Sequence, residues 1–223
     1  MKSRVVLCVL AMYACPALAE MAGDRPARTD GRTVPAPQKP DVFGTLALDA
    51  GVTAYGARWR RVSAADLADP RVGQIAAAAA GLAPLAKVAS VHRQVRSQIA
   101  WQSDLETYHV SDYWAQAGET LDRGTGDAED IAILEMQALK AAGFAARDLY
   151  LSVGRDRSRG ADTLLLVRVG DRFYALDDRS ERPLNARDYA RFEPVITLGK
   201  DTAWLHGKRF AGRTARPRIL AAR

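Results

Sequence analysis

The chain of 223 residues carries a formal charge of +6, with 26% charged and 48% hydrophobic residues, which suits one buried core and a single domain. Lys208, Arg209, Arg213, Arg216, Arg218 and Arg223 crowd the C-terminal end with no acid among them. The positive surplus thus belongs to a basic tail over residues 208–223 and not to a groove, which excludes nucleic acid as the expected partner.

Lys2 and Arg4, an apolar stretch over residues 5–14 and the small-residue site Ala17-Leu18-Ala19 read as a signal peptide over residues 1–19. That stretch is too short to span a bilayer. Cleavage would leave no integral membrane segment and a periplasmic or secreted protein. Both cysteines, Cys8 and Cys15, fall inside the signal, so the exported chain has no disulfide, no thiolate metal site and no thiol nucleophile. Residues 20–41 are rich in Pro, Arg, Asp and Gly and read as a disordered leader, followed by a domain over 42–207.

Residues 70–81 are alanine-rich and helical. Pro84 opens a clearer helix in which Leu85, Val88, Val91, Val95 and Ile99 mark one face. His92 lies beside that face as a packing or surface residue, and three histidines in all suggest no metal cluster of that kind. After Asp112-Tyr113-Trp114-Ala115, the loop Gly124-Thr125-Gly126-Asp127 leads into an apolar helical run over 128–142. Asp127 is a good N-cap residue, and Gly143 ends the run. Ile131, Leu134 and Ala138 lie on one side with Ile133 and Met136 elsewhere, the mark of a helix buried around most of its girth. The period then changes to two. Residues 149–153 form a strand, 164–169 and 173–176 a hairpin turning at Gly170-Asp171, and 195–198 a fourth strand. Helices followed by an antiparallel sheet make an α+β domain: N-terminal helices and a buried central helix packed on that sheet.

Residue 128 sits in the first turn of the central helix, where free N–H groups and the helix dipole favour an anion and a thiolate would be stabilised. The stretch Gly124-Thr125-Gly126-Asp127-Ala128-Glu129-Asp130, with Asp112-Tyr113-Trp114-Ala115 and Leu176-Asp177-Asp178 in the same order, resembles the bacterial transglutaminase-like cysteine proteinases. These are papain-like enzymes that include periplasmic adhesin-cleaving proteases. The resemblance runs from about Phe43 to His206. It implies a papain-like or transglutaminase-like fold and a Cys-His-Asp triad. The cysteine position is Ala128. Counting back from Val167-Arg168, the histidine position falls on Asp162, or on Thr163 after a one-residue shift, and Asp177 matches the orienting acid. With a methyl group for the nucleophile and no imidazole base, the triad is degenerate, and the two losses match each other functionally.

The expectation is a pseudoenzyme that binds a peptide or an envelope protein, such as a large adhesin or a regulatory membrane receptor. The alternative is an active peptidase or acyltransferase with an unrecognised nucleophile. Ser111 and Thr125 lie near the site in sequence, but a hydroxyl there still lacks a base. The resemblance further implies calcium, held by the acids flanking residue 128, Asp127 and Glu129. The simpler reading has Asp127 cap the helix while Glu129 and Asp130 complement its dipole.

Overall fold

The structure is a computed structural model that describes residues 38–64 and 69–208. The signal peptide, most of the leader and the basic tail beyond Lys208 lie outside the described residues. Among the described residues the α-helices and strands of the first half follow in the order β1 (Leu46–Asp49), α1 (Gly56–Ser63), α2 (Pro70–Ala77), α3 (Pro84–Gln98), β2 (Ala100–Trp101), α4 (Asp104–Thr107), α5 (Ala117–Arg123), β3 (Thr125–Gly126) and α6 (Ala128–Ala141). The second half holds β4 (Leu149–Asp156), β5 (Gly160–Val169), β6 (Arg172–Leu176), β7 (Leu184–Asn185), β8 (Phe192–Leu198) and β9 (Ala203–Gly207). The chain is therefore α+β as its pattern predicts, with one antiparallel sheet of seven strands in the order β1-β9-β8-β4-β5-β6-β7. The strands β2 and β3 pair separately and in parallel.

Helix α6 packs against α1, α2, α3 and α5 on its outer sides and against β4 and β5 beneath. Every residue from Asp130 to Leu139 is buried, which an amphipathic surface helix would not allow. The sheet has two apolar faces. Leu165 and Val167 of β5 join Ile131, Leu134 and the helices, whereas Leu164 and Leu166 join Tyr150, Phe173, Phe192 and Trp204 on the other side. This second face is covered in part by Val42 and Phe43. Residues 38–41, assigned by composition to the leader, lie on the same structure: the Tyr150 hydroxyl donates to the Gln38 carbonyl at 3.2 Å, and Asp41 accepts from the Ala47 amide at 2.8 Å.

Between Val153 and Gly154 the register of β4 against β8 shifts. A β-carbon at Gly154 would lie 2.3 Å from the Glu193 carbonyl oxygen and 2.8 Å from the Pro194 Cα. Both are backbone atoms of the neighbouring strand and cannot swing aside. Gly154→Ala is therefore expected to destabilise by about 3 kcal/mol or more, the upper end for overpacking. An unchanged urea midpoint would show that β8 yields easily here.

Candidate functional site

Helix α5 ends at Gly124, whose φ of 67° places it in the left-handed region that glycine tolerates. The Ala100 amide donates to the Gly124 carbonyl and the Gln102 amide to that of Gly126, fastening β2 to the glycine loop. Gly126 has a packing requirement as well, since a β-carbon there would fall 2.7 Å from Asp130 Cβ. The loop thus delivers Ala128 as the first residue of α6, 8% exposed, at the helix N-terminus. Its side chain is a methyl group.

The register of the sheet decides which β5 residue faces this helix. Leu165 and Val167 pack with α6, so alternation along the strand puts Thr163 on the α6 side and Asp162 on the far side. Leu165 pairs with Leu176, and the same register carried two residues on sets Thr163 opposite Asp178. Of the two residues the sequence offers for the histidine position, Thr163 is the one on the α6 side. Neither residue is an imidazole.

Asp162 and Asp177 enter an ion-pair network with Asp156. The Arg179 Nη2 atom lies 2.8 Å from Asp177, 2.9 Å from Asp156 and 3.4 Å from Asp162. Arg159 donates to Asp162 at 2.7 Å and to both oxygens of Asp178 at 2.8 and 3.0 Å. The Tyr189 hydroxyl also donates to Asp177. Burial disfavours the charge on Asp177, but Arg179 and Tyr189 more than offset it and hold the carboxyl far below its usual range. For Asp162 burial wins over Arg159, and its pKa is raised. Asp177 is a charged strut between arginines, with no histidine to orient.

Ahead of α6 lies an acidic cluster that sequence reasoning saw only in part. Asp127 occupies the N-cap position, but its side chain makes no capping hydrogen bond. Its Oδ1 atom is buried without a partner among the described residues. Asp104, 3% exposed, joins Asp127 and Glu129, each offering an oxygen within 4.8 Å of the others. Asp104 and Asp130 each spend one oxygen on the Asp-Tyr-Trp-Ala segment, accepting from the Tyr113 amide at 2.5 Å and the Ala115 amide at 2.7 Å. Their other oxygens, Asp104 Oδ1 and Asp130 Oδ2, are buried and unpaired. Burial is the main reason that Asp127 is pushed up to about 7, with the Asp104 charge next. Burial likewise lifts Glu129 to about 9 and Asp130 to about 8, each helped by the charge on Asp127. Unpaired buried carboxylate oxygens converging in this way suit a hard cation with oxygen ligands.

The three histidines lie elsewhere. His92 is fully buried, with Nδ1 2.5 Å from Glu135 Oε1 and Nε2 2.7 Å from the Ser180 carbonyl oxygen. His206 sits between the Thr45 and Thr197 hydroxyls, and burial lowers its pKa to about 4. His109 is exposed, on a loop, with a φ of 60°.

A buried helix that opens under the hairpin of an antiparallel sheet defines a papain-like, transglutaminase-like domain. The sequence model of the bacterial transglutaminase-like cysteine proteinases matches residues 66–192, and the chain belongs to that family. Among solved structures, Legionella pneumophila LapG superposes with a TM-score of 0.54 at 18% identity, covering 70% of this chain and 88% of that one. Its EGTA-treated form gives 0.52 at 19% identity, over 70% and 87% of the two chains. These likenesses establish the shared fold. No curated protein gives a significant match. Among the described residues no helix is long and apolar enough to cross a membrane.

Proposed function

We propose that this protein is a non-catalytic member of its family, exported to the envelope, that binds a peptide or protein segment without cutting it. The observation that carries the reading is Ala128 at the head of α6, where the fold presents a nucleophile and this chain presents a methyl group. The rest of the site supports it. Thr163 and Asp162 offer no imidazole and Asp162 is paired to Arg159, Asp177 and Asp178 are tied to arginines, and the histidines lie on α3, β9 and an exposed loop. The start of the chain, which reads as a secretory signal, supports export. A large adhesin or a regulatory membrane receptor is the partner class that the family suggests. In the same reading Asp104, Asp127 and Glu129 hold a calcium ion, which supplies the positive charge that lets one buried and two half-buried carboxylates ionise side by side.

Peptide hydrolysis and acyl transfer by the purified protein test the reading; turnover that survives removal of contaminating proteases would overturn it. Ala128→Cys alone should add a thiol with little activity, since the neighbouring acids raise its pKa and no base removes its proton. Adding Thr163→His should raise the rate above that variant by about 10²-fold or more, the usual contribution of a placed general base. Adding Asp162→His instead should not. The reverse order would mean that the strand register has been misassigned.

A further inference from the structure

Beside the site runs a second feature that the family chemistry does not use. A groove of about 530 Å³ lies along α3, lined by Ser90, Arg93, Gln94, Arg96, Ser97 and Glu181. It borders the candidate site directly, because Arg96 Nε donates to the Asp178 carbonyl at 2.7 Å and α3 leads into β2, which is hydrogen-bonded to the glycine loop. Its charge is unbalanced. Arg93 is exposed and forms no ion pair or side-chain hydrogen bond among the described residues, and Arg96 uses only Nε. Most other arginines near the site are held by carboxylates, as Arg159 and Arg179 are. The neutral residues add polar groups: the Ser97 hydroxyl donates to the Gln94 carbonyl at 2.8 Å, and Gln94, whose Nε2 atom donates to the Ile75 carbonyl at 3.2 Å, keeps its amide oxygen without a partner among the described residues.

We infer that this groove takes the acidic part of a bound peptide, with a carboxylate side chain paired to Arg93 and Arg96. The inference rests on the peptide-binding reading and names the class of ligand. Two forked guanidinium groups suit discrete carboxylates. A nucleic acid would need a longer cationic track than two arginines beside the one Glu181 provide.

The test uses the exported chain and two short fluorescein-labelled peptides of equal length, one rich in Asp and Glu and one rich in Lys, with an oligothymidine as a third probe. The acidic peptide should bind, and added salt should weaken it, as for partly exposed ion pairs. Arg93→Glu should weaken it about tenfold. Ser97→Glu, which also places a negative charge on the exposed wall, should act in the same direction. Both positions are on the surface, so the melting temperature should hold and separate lost binding from lost fold. Acidic peptide recovered cut would still support the groove while overturning the non-catalytic reading. Equal binding of the Lys-rich peptide, equal binding of oligothymidine, or indifference to Arg93→Glu in a folded protein would overturn the inference.

Discussion

Replacing Glu135 with alanine is expected to destabilise the protein by about 3–5 kcal/mol, the range found when one partner of a buried ionic pair is removed. Glu135 is 1% exposed in the middle of α6, and its only side-chain hydrogen-bond partner among the described residues is His92 on α3. The other ring nitrogen faces the Ser180 carbonyl, which accepts only, so Nε2 carries a proton. One further proton then lies between Nδ1 and the Glu135 carboxyl, whichever of the two holds it. For His92, burial acts against the charged form, but the Glu135 charge and the Ser180 carbonyl outweigh it and the pKa is raised; for Glu135, burial raises it. Arg96 and Asp178, the neighbouring charges, act in opposite directions on Glu135.

The pair therefore keeps a proton in the folded state that an unfolded histidine gives up near pH 6.5. Its stabilisation is fully present below that pH and is lost as pH rises through the raised value, because the folded state then binds more protons than the unfolded one. Glu135→Gln separates the two effects. A glutamine amide can donate to a neutral Nδ1, so this variant should keep most of the stability and lose the alkaline slope. Urea denaturation at a series of pH values reads both quantities. If Glu135→Ala and Glu135→Gln behave alike, the proton has no part in holding α3, α6 and the Ser180 turn together.

This pair also marks where sequence reading stops. Glu135 and Gln137 lie inside an otherwise apolar helix. Nothing local, however, could say that Glu135 meets His92 or that Gln137 donates to the Val62 carbonyl at 2.5 Å. The central helix and the hairpin at Gly170 were legible because each is specified by local period and by its own turn chemistry. The strand β1 was not legible. Its four residues alternate weakly, and they are fixed by pairing with β9, far away in the chain. The histidine position could not be settled between Asp162 and Thr163, since a one-residue slip in a strand reverses which face a side chain joins. Only pairing with neighbouring strands fixes that parity. Asp104 escaped notice for the same kind of reason. In sequence it looks like an ordinary residue of the short helix α4; only the folded chain brings it to Asp127 and Glu129.

Calcium, added to protein stripped with a chelator, is expected to raise the melting temperature. A ligand that binds only the folded state at about 100 times its dissociation constant adds about 2.7 kcal/mol, which for a domain of this size is a rise of about 5–10 °C. The source of that energy is visible in the cluster. Without a cation, Asp104, Asp127 and Glu129 have been moved out of water with like charges adjacent, and unpaired oxygens remain on Asp104 and Asp127. A divalent ion answers both penalties at once. Because binding releases the protons that the cluster otherwise retains, the rise should grow from about pH 6 to about pH 8. Asp127→Asn with Glu129→Gln should abolish the response, and so should Asp104→Asn alone, the residue that motif reading would have left out. The same variants should melt no lower than the wild type in chelator, and even somewhat higher at alkaline pH, since each removes a buried carboxylate that has no counter-charge. That inversion distinguishes a ligand set from a helix cap. If Asp127 served as a cap, its loss would cost about 1 kcal/mol whether or not calcium were present, an outcome at odds with a side chain that makes no capping bond. A flat calorimetric titration with calcium, together with chelator-independent destabilisation by Asp127→Asn, would remove the cation from the account and leave the unpaired oxygens of Asp104 and Asp127 in need of another partner.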